Sequence, residues 1–433
     1  MTASTQTRID AALTPDELDH HGQSSQTVYT AGFGSRRDFA IRSILGKSGR
    51  GGAEPGEVLA TVANIADDDA LGWFTAWRGL GHSIADRAES LAQQGHKVSA
   101  ARAYLRAANY LAVAVNAVDG AIVTGEHLLP TMRAHIRAWE GFVDHTRWDV
   151  QRVSIPYQDD VRMPGWFFRP DSSGTARPTL VVNNGSDGSL SGLWCQAAEG
   201  ALERGYNVLL FNGPGQQSML FERGIPFRYD WEKVLTPVVD HLLGRDDVDP
   251  GRLVVVGISQ GGYWVPRALA MEHRFAAAAV DGGVVDVSRA WFDNLSPQLR
   301  NLYESDRASF DRYMGQAMQQ PSASTARQVW EFRARPYGVT GYAAVLDEVA
   351  KYRLADDVAA LIRTPLYIVD PDGEQFFPGQ PAELATLVPT STLARFRQTE
   401  GASYHCQPLA RELTEQRIFD WFDDQLGKIA FHE

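Results

Sequence analysis

Ser259 stands in Val-Val-Val-Gly-Ile-Ser-Gln-Gly-Gly, residues 254–262. A β-branched run closed by Gly-x-Ser-x-Gly suits a strand that breaks into a tight turn and re-forms as a helix, with the serine at the apex. Gly257 and Gly261 carry no Cβ, so the backbone can pass through a strained turn while the hydroxyl is held above the sheet edge. The chemistry this favours is nucleophilic attack on a carbonyl, with the Gln260 N–H facing the oxygen that becomes negative. Asp249-Pro250-Gly251 reads as a turn just upstream, residues 253–256 as a buried parallel strand, and residues 263–271 as the helix that follows.

A serine hydroxyl needs a base, and this strand–turn–helix arrangement takes its partners in the order serine, acid, histidine. His405, in Glu-Gly-Ala-Ser-Tyr-His-Cys-Gln-Pro (400–408), lies in a turn-rich loop between a final strand at 393–396 and a final helix. His273 sits on the helix behind the turn, and His432 at the end of the chain. The acid must follow the strand at 366–369, where Asp370, Asp372 and Glu374 are all available. The spacing to Pro378 favours Glu374, with Asp372 as runner-up; either would orient the imidazole and stabilise its charged form. Asn184-Gly185-Ser186-Asp187-Gly188 follows the strand at 179–183, and a backbone N–H at Ser186 or Asp187 can join that of Gln260 around the oxyanion. A carboxylate there would repel an oxyanion. Asp187 is therefore either turned away as a turn-forming residue or protonated and able to donate.

These residues need a scaffold. A chain of 433 residues and 47.7 kDa exceeds what one core usually organises, so about two domains are expected. Residues 1–65 are polar and turn-rich; the glycine run at 46–52 superficially suggests a phosphate loop but lacks its order, and reads as a plain loop. From residue 67 the period is helical: Trp73, Trp77, Leu80, Ile84 and Leu91 form one stripe, Ala101, Tyr104, Leu105, Ala108 and Leu111 a second, and Met132, Ile136, Trp139 and Phe142 a third. A helical domain at 66–148 follows from these stripes. Beyond it, residues 153–156 and 165–168 read as a hairpin, and 179–183, 207–211, 253–256, 276–280 and 366–369 as buried strands between helix-length segments. That is an open, mostly parallel sheet with helices on both faces, in a domain spanning 149–433. An aromatic insertion at about 286–354 reads as a cap over the nucleophile, its rings either lining a substrate cavity or forming the cap's own core. Trp291 and Tyr263 are the expected substrate contacts.

A net charge of −12 and a pI near 5.4 argue against nucleic acid or an anionic membrane as partner, and for a small-molecule substrate. Cys195 and Cys406 are too few for a disulfide framework and lack metal-site spacing, so neither a metal nor a cofactor is expected. The first residues lack the apolar core of a signal peptide, and a cytoplasmic location is the expectation.

Asn-Gly-Ser-Asp-Gly (184–188), Phe-Asn-Gly-Pro-Gly-Gln-Gln-Ser (211–218), Gly-Ile-Ser-Gln-Gly-Gly (257–262), Glu-Gln-Phe-Phe-Pro-Gly-Gln (374–380) and the His405 segment, behind a helical region, together resemble the FrsA-like α/β-hydrolases. That group includes 2,6-dihydroxypseudooxynicotine hydrolase and fungal hydrolases that shorten aromatic polyketides. The resemblance implies an α/β-hydrolase fold and cleavage of a carbon–carbon bond in an aryl ketone or β-diketone. It further implies attack by Ser259 with His405 as base and Glu374 or Asp372 behind it, and a match between Asp187 and an acidic residue that protonates or positions the reacting group. A homodimer is compatible with such a helical domain, with Trp73 and Trp77 open to packing or to subunit contact. A carboxylesterase or acyltransferase with the same triad, and a ligand-binding protein that has lost the chemistry, are the alternatives.

Overall fold

The computed structural model describes residues 35–66, 68–320 and 323–430, which leaves His432 and the first 34 residues outside the description. Eight strands form one sheet: β1 (Asp149–Pro156), β2 (Arg162–Arg169), β3 (Arg177–Asn183), β4 (Asn207–Phe211), β5 (Val248–Ile258), β6 (Ala277–Asp281), β7 (Leu366–Pro371) and β8 (Thr392–Phe396). Their order is β1-β2-β4-β3-β5-β6-β7-β8. β1 and β2 pair antiparallel and β2 joins β4 antiparallel, while β4, β3, β5, β6, β7 and β8 run parallel. Strands buried on both faces read as near-continuous apolar runs, because successive side chains enter opposite layers. Thus Leu180 and Val182, Val208 and Leu210, and Val254 and Val256 enter one core, while Val181, Leu209 and Val255 enter the other.

β5 begins earlier than its apolar run. Val248 already pairs with Arg177, and the register then jumps so that Leu253 faces Thr179. Asp249-Pro250-Gly251 is therefore a bulge within the strand, with Asp249 Oδ1 accepting the Gly251 N–H at 3.0 Å, rather than a turn before it.

The first core is shared between the sheet and the N-terminal helices α1 (Ser35–Leu45), α2 (Ala70–Gln93), α3 (Lys97–Ala117) and α4 (Thr124–His145). Asp69 caps α2 by accepting the Gly72 N–H at 2.7 Å. The three stripes turn inward as their spacing requires: Trp77, Ala108, Leu111 and Trp139 retain 0 % exposure. Trp73 and Trp77 meet edge-on at 5.5 Å inside the chain's own core. Trp139 of α4 meets Trp166 and Phe168 of β2 and Trp194, which lies in a π turn (Trp194–Ala198), and this aromatic cluster welds the helical layer to the sheet.

The second core lies under α5 (Glu232–Leu243), α6 (Gly261–Leu269) and α7 (Gln380–Leu387), on the other face. α8 (Arg411–Ala430) returns to the first face. Residues 46–52 are not a plain loop. Gly46–Arg50 is a 3-10 turn pressed against the segment before α8, where a Cβ on Gly46 would fall 1.5 Å from the Pro408 oxygen, and Arg50 pairs with Glu203 at 2.6 Å and with Glu415.

After β6 the chain leaves the sheet for a group of helices, among them Pro297–Ser305, Arg307–Met318, Ser324–Ala334 and Tyr342–Val349. A narrow neck closes this excursion: Asp286 bridges Arg353, Val287 N–H donates to the Tyr352 oxygen at 3.0 Å, and Leu354 N–H to the Val285 oxygen at 2.8 Å. The aromatics there divide between both expected uses. Tyr303 and Phe310 build a small core with Met314 and Leu346, whereas Trp291 and Tyr337 face a cavity above Ser259.

Candidate active site

Ser259 sits between β5 and α6 at φ 55°, a left-handed conformation that costs a non-glycine residue about 1–3 kcal/mol. Its surroundings enforce it. The Ser259 N–H is held by the Asp281 oxygen of β6 at 3.0 Å, and its carbonyl accepts the Gly262 N–H at 2.8 Å. A Cβ on Gly262 would lie 1.7 Å from the Gly282 oxygen, and one on Gly257 would lie 2.4 Å from the Gly261 oxygen, so the crossing of strand and helix closes only with glycine.

His405 Nε2 lies 2.9 Å from Ser259 Oγ, and His405 Nδ1 lies 2.8 Å from Glu374 Oε2. The other Glu374 oxygen accepts the Phe376 and Phe377 N–H groups at 2.8 and 3.1 Å. The two loops are pinned together by the Gly373 N–H donating to the Ser403 oxygen at 2.8 Å and the His405 N–H to Gln375 Oε1 at 2.8 Å. Burial works against a charge on the imidazole. The adjacent Cys406 sulfur and the Glu374 carboxylate together override it, and the His405 pKa is raised well above its ordinary value. Burial would also raise Glu374, but the His405 interaction and the two N–H donors hold it below the usual carboxylate range.

The structure separates the three acids. Asp372, the runner-up, is exposed and its carboxylate faces the Gln398 N–H at 3.4 Å, because the chain turns after Pro371 and carries it to the β8 side; it does not reach His405. Asp370 is buried against Arg395 at 3.0 Å. Only Glu374 is aimed at the imidazole.

The Gly185 N–H is bound by its neighbour Asn184 Oδ1 at 2.8 Å, whereas neither the Ser186 nor the Gln260 N–H has a partner among the described residues. A Cβ on Gly185 would lie 2.8 Å from Ser259 Cβ and 3.4 Å from the Gln260 nitrogen, so this loop lies directly against Ser259. Asp187 is exposed and lines the cavities on both sides of Ser259, and its Oδ1 accepts the Ser186 hydroxyl at 3.4 Å.

One cavity, of about 90 Å³, lies under the helical insertion and is walled by Phe227, Trp291, Phe332, Tyr337, Phe376 and Phe377. The other, of about 400 Å³, opens toward the N-terminal helices. Trp291 is thus in contact with the site, but Tyr263 is not. Tyr263 has 0 % exposure, donates its hydroxyl to the Tyr229 oxygen at 3.0 Å and lines neither cavity, because α6 turns this face into the second core.

Sequence reasoning missed several contributors. Gln216 Nε2 donates to the oxygens of Asn184 and Gly185, both at 3.1 Å, while its Oε1 accepts the Gly213 N–H at 2.9 Å; Gln217 Nε2 donates to the Gly188 oxygen at 2.8 Å. The two glutamines clamp the 184–188 loop, and their signal was the Gly-Gln-Gln run after β4. Phe39 of α1 packs near His405, ring centroids 6.3 Å apart, from a segment whose polarity gave no sign of it. Arg411 of α8 is buried, paired with Asp281 and donating to the Cys406 oxygen at 2.7 Å, and so ties the serine turn to the histidine loop. Among the described residues no cluster of three or more His, Cys, Asp or Glu could hold a metal ion.

Residues 198–325 match the prolyl oligopeptidase family, peptidase S9. A hydrolase of a Fusarium species, LUC6, is 30% identical over 409 residues, covering 90% of this chain and 96% of its own. The chain belongs to the α/β-hydrolases. The 20-hydroxy-prefusarin hydrolase FUS2 of Gibberella moniliformis is 32% identical over 273 residues, 59% of this chain and 64% of that relative. Among solved structures, 2,6-dihydroxy-pseudo-oxynicotine hydrolase superposes with a TM-score of 0.65 at 20% identity, over 88% of this chain and 95% of that one. AbyA5 does so with 0.57 at 16%, over 94% and 99%. At those identities the structural likeness speaks for the fold, and this α/β-hydrolase shares it across the helical layer as well as the sheet.

Proposed function

We propose that this α/β-hydrolase cuts a carbon–carbon bond in an aryl ketone or β-diketone by serine catalysis. Ser259 attacks the carbonyl as His405 Nε2 takes its proton, and Glu374 holds the imidazole in the tautomer that can accept it. The Gln260 and Ser186 N–H groups receive the oxyanion. Collapse of the tetrahedral adduct expels a carbanion spread over the second carbonyl as an enolate, and His405 returns the proton to its carbon. Water, activated by the same imidazole, then releases the acid from Ser259. The observation that supports the C–C reading is Asp187, which lines the aromatic cavity beside Ser259; its carboxylate would accept a hydrogen bond from an enol or phenol of the substrate. Aryl rings suit the walls set by Phe227, Trp291, Phe332 and Tyr337.

The test compares an aryl 1,3-diketone with a simple aryl ester. Cleavage of the diketone, lost by at least about 1,000-fold in Ser259→Ala and reduced selectively in Asp187→Asn, is the expected result. Turnover of the ester alone, undiminished in Asp187→Asn, would leave a carboxylesterase. Failure of Ser259 to react with a fluorophosphonate would leave a binding protein.

A further inference from the structure

The larger cavity connects Ser259 and His405 with three basic side chains that the mechanism does not use, Arg37, Lys47 and Arg411. Lys47, in the 3-10 turn Gly46–Arg50, lines it. Its Nζ stands by the wall that continues the 184–188 loop, where a Cβ on Gly192 would lie 3.5 Å away. Lys47 keeps accessible surface although it is deep inside the protein, because the cavity of about 400 Å³ admits water. Burial lowers its pKa from the ordinary lysine range. The titratable groups nearby do not balance its charge: burial pushes the Cys195 thiol up to about 12, and holds His135 down to about 4, so both are neutral. No ion pair or hydrogen bond of the Lys47 ammonium occurs among the described residues, whereas Arg411 on the same cavity is paired with Asp281. A buried lysine without a counter-ion is biased toward the neutral amine, and an anionic ligand beside it restores and stabilises the ammonium.

We propose that Lys47 binds an anionic oxygen of the substrate, a carboxylate or an ionised phenol or enol, in the larger cavity while the reacting carbonyl lies at Ser259. This extends the serine-hydrolase reading and rests on it. The substrate then spans the site, its aryl portion among the cap aromatics and its anionic end against the N-terminal layer. Lys47 is a specificity-determining residue in this arrangement.

The experiment measures kcat/KM for paired substrates: an aryl 1,3-diketone and an aryl ester, each with a terminal carboxylate or its methyl ester, and a 2-hydroxyaryl against a 2-methoxyaryl diketone. The charged member of at least one pair is expected to lose about 10- to 100-fold in Lys47→Met, the worth of a charge-assisted hydrogen bond, while its neutral partner stays within about threefold. Lys47→Arg should recover much of the loss. The carboxylate and hydroxyaryl arms tell the two sources of anion apart. Equal losses on charged and neutral members, or no change on either, would overturn the proposal, since the first means a structural role and the second no role. Fluorophosphonate labelling of Ser259 in Lys47→Met, expected at the parent rate, checks that the site remains folded. Turnover of esters but not diketones would remove the C–C reading and still report on Lys47; no turnover and no labelling would remove both.

Discussion

At the residue scale, the site turns on how one imidazole is poised. In the proposed reaction it accepts the Ser259 proton only when neutral, and its pKa is raised by its neighbours, Glu374 among them, so activity should fall on acidification at a higher pH than an unperturbed histidine would give. Glu374→Gln removes the carboxylate while preserving shape. The acid limb of the kcat/KM profile should then move to lower pH, while the plateau drops by about 100- to 10,000-fold as the tautomer and its stabilisation are lost. Asp372→Asn should leave both limb and plateau within about twofold, because its carboxylate meets the Gln398 N–H and not the imidazole. Steady-state rates across pH check both. Ser259 and His405 were legible from sequence because a nucleophile turn and its base are local signatures. Glu374 emerged only as first among three, since choosing required knowing which way the chain turned after Pro371. Tyr263 misled for a related reason. Two residues beyond a tight turn, direction depends on the helix axis that follows, and this ring points into the core.

At the scale of elements, the serine turn is a crossing of β5 and α6 with no room to spare. Gly262→Ala would drive a Cβ into the Gly282 carbonyl, and overpacking of this kind costs about 1–3 kcal/mol or more. The variant should unfold at lower denaturant concentration or fail to accumulate in soluble form. The 184–188 loop depends on the glutamines after β4. Gln216→Ala would strand the Gly185 oxygen and the Gly213 N–H and leave the Asn184 oxygen to Asn183 alone, loosening the Ser186 donor. An oxyanion donor is worth about 3 kcal/mol, so kcat should drop by about 10- to 100-fold for partial misplacement, with KM little altered. The strands themselves were readable, because burial on both faces leaves runs of valine and leucine. The turn Gly46–Arg50 was not, since its partners, the segment before α8 and α8 itself, lie hundreds of residues away and its polar composition reflects pairs such as Arg50 with Glu203 and Glu415.

At the scale of the whole molecule, the helical layer and the sheet have one core between them. Trp139 touches β2 and the π turn at once, and truncating a buried tryptophan costs about 3–5 kcal/mol. Trp139→Ala should therefore lower the unfolding midpoint of helices and sheet together, in one transition by circular dichroism and intrinsic fluorescence; two separated transitions would contradict a common core. The insertion belongs to that unity as well. It leaves and rejoins the sheet at Asp286 and Arg353, but Tyr337, Val345, Val349 and Tyr352 are buried in the second core, Arg335 pairs with Asp119 beside the helical layer, and the Phe227 N–H donates to the Pro336 oxygen at 2.7 Å. Whatever the excursion contributes to recognition is therefore bound up with solidity: a short linker in its place would bare apolar surface on one side of the sheet, and such a variant should be less stable as well as less discriminating.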